Sequence, residues 1–94
     1  MFTITDAEGR TKAENVSLAA QKAEELRTKV PSLRAYTVTV NSPEADSTNY
    51  DLALICDFDD MKGLDEYQNH PDHKAFGAFL KNVRKDRACI DFEI

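Results

Sequence analysis

From Tyr50 to Phe58 apolar and polar positions alternate strictly. Tyr50, Leu52, Leu54, Cys56 and Phe58 share one side, with Ala53 and Ile55 on the other. That two-residue period predicts a half-buried strand. Leu33 to Asn41, rich in β-branched side chains, predicts a second strand, and Ser42-Pro43 with the polar run to Asn49 forms the loop between them. Met1 to Thr5 predicts a short first strand, followed by a turn at Ala7 to Arg10 centred on Gly9. Ala88 to Ile94 predicts a last strand carrying Ala88, Ile90, Phe92 and Ile94 on one face.

Between these runs the period lengthens. Thr11 and Glu14 have the spacing of a capping box, in which hydroxyl and carboxylate each satisfy a free amide at a helix start. Val16, Ala19, Ala20, Ala23 and Leu26 then form one helical stripe. Pro31 ends that helix by pushing Val30 away from helical angles. Asp59 or Asp60 can cap a short helix bearing Met61, Leu64 and Tyr67. Pro71 opens another, since its missing amide costs nothing in a first turn, and Phe76, Phe79, Leu80 and Val83 make it amphipathic. The order is β-α-β-β-α-β with the second helical element broken in two. It predicts an α+β fold, ferredoxin-like, with a four-stranded antiparallel sheet.

In this layout both helical elements cover the same sheet face. Val38, Val40, Leu52, Leu54, Ile90 and Phe92 are expected to meet them. Thr37, Thr39, Ala53, Ile55 and Cys89 are left on the other face, too apolar for an ordinary wet surface. A second copy laid against it would bury on the order of 800 Å² per partner, which predicts a homodimer through the sheet face. The competing account is a mildly apolar face open to water. Strand one is expected centrally, between the last strand and the third. Cys56 and Cys89 would then lie about 9–10 Å apart, beyond the ~7 Å limit for a disulfide. So short a central strand would leave ladder groups on its neighbours unpaired. Either residues upstream of Met1 complete it, or another group fills the gap.

Ninety-four residues predict a single domain spanning 1–94. The net charge of −5 argues against nucleic acid, whose binders cluster Lys and Arg. The one basic cluster, Lys81, Arg84, Lys85 and Arg87, is interrupted by Asp86 and fits a solvated helix end. No apolar run nears the ~20 residues that cross a bilayer, and Met1 to Asp6 lacks a signal peptide's features. Two cysteines in strand-like runs fit a reduced, cytoplasmic chain.

Residues 64–92 carry a more specific pattern. Leu64-Asp65-Glu66-Tyr67-Gln68-Asn69-His70-Pro71-Asp72-His73, followed by Phe79-Leu80-Lys81 and Asp86-Arg87-Ala88-Cys89-Ile90-Asp91-Phe92, resembles the stress-responsive dimeric α/β-barrel (Dabb) family. Val30-Pro31-Ser32-Leu33 and Tyr50-Asp51-Leu52-Ala53-Leu54 fit it too. The resemblance implies a dimeric α/β barrel with a cleft between helices and sheet in each subunit. Many members have no assigned activity, and some are linked to stress tolerance. One member, olivetolic acid cyclase, closes a polyketide ring using a tyrosine and the second histidine of the His-Pro-x-His stretch, which match Tyr67 and His73. This chain departs from that enzyme at Leu52 and Ala23, where it has histidine and tyrosine. The family's usual N-terminal Lys-His segment would lie before Met1. These departures weigh against cyclase activity.

His73 sits in a first helical turn, where the dipole favours a neutral imidazole able to take a proton. The alternative is a histidine pinning the helix entrance. Tyr67, ending an apolar stripe, can equally be core with its hydroxyl satisfied. His70, before Pro71, reads as a structural cap. His70 and His73 with Asp72 and Glu66 fall short of a converging metal set, and three glycines supply no phosphate loop or nucleophile elbow. Neither metal nor cofactor is expected. The leading expectation is a stress-associated homodimer binding a small apolar ligand in the cleft, lined by Leu52, Leu54, Phe76 and Phe79. The second is a cofactor-free cyclase or isomerase-type enzyme using His73 and Tyr67. A heme or quinol monooxygenase follows by fold analogy alone.

Overall fold

The computed structural model describes residues 1–92. Its elements are β1 (Phe2–Ile4), α1 (Lys12–Glu25) with a 3-10 turn over Leu26–Thr28, β2 (Ala35–Val40), β3 (Leu52–Asp57), α2 (Met61–Asn69), α3 (Pro71–Val83) and β4 (Arg84–Arg87). The four strands form one antiparallel sheet in the order β2-β3-β1-β4.

Local chemistry explains the boundaries. Glu8 and Gly9 both adopt positive φ, 56° and 74°. With the paired Ala7–Arg10 bonds of 3.0 Å, this is the tight turn whose twist suits antiparallel flanks. The Thr11–Glu14 capping box opens α1. Ala19 and Ala23, both fully buried, let the helix approach the sheet closely. Asn15 lies on the same inner face; its Nδ2 donates to the carbonyls of Thr5 (2.9 Å) and Ala7 (3.2 Å), tying turn to helix. Asp60 caps α2 by accepting from Gly63 N.

In the β2–β3 ladder Tyr36 faces Cys56, Val38 faces Leu54 and Val40 faces Leu52. This row points to the helices. Tyr36 and Leu52 are buried with Leu26, Tyr67, Phe76 and Val83, while Val38 and Leu54 are half-buried against them. Val40, expected in that layer, is 49% exposed at the end of the edge strand β2. Thr37, Thr39 and Ile55 are exposed on the opposite face and Ala53 is partly so, so no helix covers it.

The last strand differs from expectation. It begins at Arg84, directly where α3 stops, because the backbone there turns extended (φ −84°, ψ 144°). The cations at 84–87 therefore form an edge strand, not a helix end, and charge suits an edge. Ladder pairing ends at Ala88, which exchanges bonds with Met1 (2.8 and 2.9 Å). Past that point Cys89 to Phe92 are not strand. Ile90 and Phe92 are 79% and 71% exposed instead of packed under the helices. Cys89 is likewise exposed and outside the sheet, and both thiols are free. Ile94, assigned by sequence to this strand, lies outside the described residues.

The gap beside the short β1 is filled by a side chain. Asp51 Oδ2 accepts from Ile4 N (2.8 Å), while Asp51 N donates to Phe2 O (2.8 Å). Among the described residues no helix is long and apolar enough to cross a membrane.

Candidate functional site

The break between α2 and α3 shapes the site. His70 is extended (φ −65°, ψ 136°); its N–H closes α2 on Tyr67 O, and its Nδ1 accepts from Asp72 N at 3.1 Å. Pro71 follows at the first position of α3, fixing the bend. His70 is thus a cap, as its place before proline suggested.

That bend folds the last turn of α2 onto the first of α3. The Tyr67 and His73 rings lie 4.2 Å apart between centroids, tilted by 49°. Phe58 packs near Tyr67, at 5.3 Å. Tyr36 and Cys56, cross-strand partners, complete the cluster from the sheet. The Tyr36 and Tyr67 hydroxyls approach closely enough to bias each other's ionisation. They do not reach ordinary hydrogen-bond geometry, and the buried Tyr36 Oη has no partner. His73 Nδ1 is likewise buried without one.

Burial keeps every group here uncharged near neutrality. Desolvation is the main cause in each case. It pushes the Tyr36 phenol up to about 12 and the Cys56 thiol up to about 11. Tyr67 is raised further still, by burial and then by its neighbours Tyr36 and Cys56. His73 is held below its ordinary 6.5 by burial; the Gln68 carbonyl opposes this, while Arg87 and His70 add to it. The cluster can therefore donate protons in hydrogen bonds, and its imidazole can accept one.

The structure brings His73 and Tyr67 together. Leu52 and Phe76 are buried in the common core, and Leu54 and Phe79 are half-buried against it. Ala23 and Leu52, where the cyclase relative carries tyrosine and histidine, are both buried and apolar. A groove of about 140 Å³ runs between α1 and α3, with Leu26, Phe76 and Phe79 in its lining and Lys22, Glu25, Lys29 and Asp72 around it. A larger one, about 280 Å³, is bordered by polar and charged groups including Arg34, Asp59, Lys62 and Glu66, and holds none of the expected site residues. Among the described residues no three His, Cys, Asp or Glu side chains converge as metal ligands.

Tyr36 and Cys56 are the members that sequence reasoning missed as a unit. The signal was present for Tyr36: it shares the parity of Val38 and Val40, so it had to face the helices.

The model of the stress responsive A/B barrel domain matches residues 1–94, the whole chain. The chain belongs to this stress responsive A/B barrel family. Three solved structures resemble this Dabb chain. A dimeric ferredoxin-like protein of unknown function from Thermobifida fusca is 26% identical (97% of this chain and 85% of that one covered, TM-score 0.78). A dimeric protein of unknown function and ferredoxin-like fold from Bacteroides fragilis is 24% identical (97% and 90%, TM-score 0.74). A dimeric ferredoxin-like protein of unknown function from Jannaschia sp. CCS1 is 24% identical (97% and 93%, TM-score 0.69). No curated protein matches the chain. The fold is thus that of the ferredoxin-like Dabb domains.

Proposed function

We propose that this Dabb protein is a homodimer closed through its uncovered sheet face, and that its helix side binds one small, largely apolar molecule. The observation carrying the binding reading is a groove whose apolar lining, Leu26, Phe76 and Phe79, lies one helical turn from the neutral His73. A space of about 140 Å³ accommodates a single ring, with the charged Lys22, Glu25, Lys29 and Asp72 around it; Leu52 and Leu54, expected in the lining, lie outside this groove. Exposed Ile55 between Thr37 and Ala53 supports the dimer, as does the dimeric description of the three similar structures. Two free thiols support a reduced, cytoplasmic setting, and the family's description supports a stress-associated role.

The test is a thermal-shift screen of small uncharged ring compounds. A ligand that binds only the folded state must raise the melting temperature, by an amount that grows with the logarithm of its concentration over Kd. Phe76→Ala should remove the shift; a shift that survives it places the ligand elsewhere.

A second reading, a cofactor-free cyclase or isomerase-type enzyme, is favoured by the close, tilted and uncharged His73–Tyr67 pair. His73 would take a proton from carbon next to a carbonyl while the Tyr67 hydroxyl steadies the developing oxyanion. Full retention of activity in His73→Ala would end this reading.

A further inference from the structure

The groove of about 280 Å³ at the start of α2 combines charge of both signs with a hidden hydroxyl. Ser32 lines it and is 8% exposed, and its Oγ is buried without a hydrogen-bond partner. A buried hydroxyl in that state is costly until a partner arrives. It turns about a single bond between staggered positions, so its place in the lining puts a bound molecule within its reach. The charged groups divide into committed and available ones. Asp59 holds Arg34 through Nε (2.9 Å) and Nη2 (2.8 Å), and Arg34 Nη1 donates to Pro31 O at 3.2 Å. Asp60 is taken by the helix cap, accepting from Gly63 N at 2.9 Å. Lys62 and Glu66 remain, both exposed. They stand about one turn apart on α2, a spacing that allows a direct pair, yet among the described residues neither enters an ion pair. A simple anion here would meet three carboxylates, of Asp59, Asp60 and Glu66, and a simple cation would meet Arg34 and Lys62. A molecule bearing both charges complements both.

We propose that this groove is a second binding site, separate from the one between α1 and α3, and that it takes a small zwitterion of the amino-acid class. The carboxylate of that molecule lies against Lys62 and accepts from the Ser32 hydroxyl, and its ammonium group lies against Glu66. The site does not depend on the apolar-ligand reading above.

Alanine, propionate and ethylamine make the test: propionate is alanine without its ammonium group, and ethylamine is alanine without its carboxylate. Titrated into the full chain at fixed ionic strength and followed through the amide shifts of Ser32 and of Lys62 to Glu66, alanine should bind about tenfold more tightly than either. Glu66→Gln should bring alanine down to the level of propionate, and Lys62→Gln down to that of ethylamine. Both positions are exposed, so folding tolerates these changes. Ser32→Ala removes an unpartnered group, so it should weaken alanine about tenfold while leaving the Tm of the free chain unchanged or higher. Alanine binding that is intact in Ser32→Ala, with a lower Tm, would make the hydroxyl structural and overturn the proposal. Propionate or ethylamine matching alanine would overturn it too, as would alanine binding that survives both helix substitutions, or no shift with alanine at millimolar concentration. Should Ser32→Ala not fold, Lys62→Gln and Glu66→Gln still decide.

Discussion

Removing the Asp51 carboxylate tests how a three-residue central strand is held. Asp51 is only 13% exposed in its side chain and serves two partners, the Ile4 amide at 2.8 Å and Lys12 Nζ at 3.2 Å. Ile4 is itself buried in the core, so its amide would be left largely without an acceptor in Asp51→Ala. A hydrogen bond to a charged group contributes about 1.5–3 kcal/mol, whereas an exposed ion pair contributes ~0.2–1 kcal/mol. Lys12 is 47% exposed, so most of the effect belongs to the backbone bond. Asp51→Ala should therefore cost about 2–3 kcal/mol, a fall in Tm of roughly 8–24 °C for a domain of this size. Asp51→Asn keeps an oxygen acceptor and should lose about half as much. Lys12→Ala should cost under ~1 kcal/mol. Urea unfolding of all three at one fixed protein concentration, which holds any dimer linkage constant, gives the comparison. An Asp51→Ala loss no larger than that of Lys12→Ala would refute the view that this side chain completes the ladder.

Three further outcomes are expected. Ile55→Asp, at a position 59% exposed in the subunit, should leave subunit stability within ~0.5 kcal/mol and yield monomers by sedimentation; a persistent dimer would move the interface off the sheet face. His73 has a folded pKa below its ordinary 6.5, so below pH 6.5 the unfolded chain takes up a proton that the folded chain resists. Its contribution is whole above 6.5, is lost as pH falls from there to the folded pKa, and then levels off. His73→Gln should flatten that part of the stability–pH curve, and an unchanged slope would assign it to other groups. Alkylation at pH 8 should label exposed Cys89 and spare Cys56, whose thiol is pushed up to about 11; equal labelling by peptide mass spectrometry would contradict the buried cluster.

Sequence alone determined what depends on near neighbours. The Thr11–Glu14 box, the Gly9 turn, the Pro71 helix start and the alternation of β3 are set within a few residues, and each forms where its chemistry predicts. The His-Pro-x-His stretch likewise carried the family and brought Tyr67 and His73 forward as a pair. Tertiary structure decided whatever needed a distant partner. A strand exists only where a neighbour supplies its ladder: the greasy run Cys89 to Phe92 is not strand, and the charged Arg84–Arg87, paired with β1, is strand instead. The same holds for Asp51, whose carboxylate reads as an ordinary polar residue until Ile4, 47 positions away, presents it with an amide. Tyr36 and Cys56 become part of the candidate site only because the β2–β3 register sets them opposite each other, beneath Tyr67.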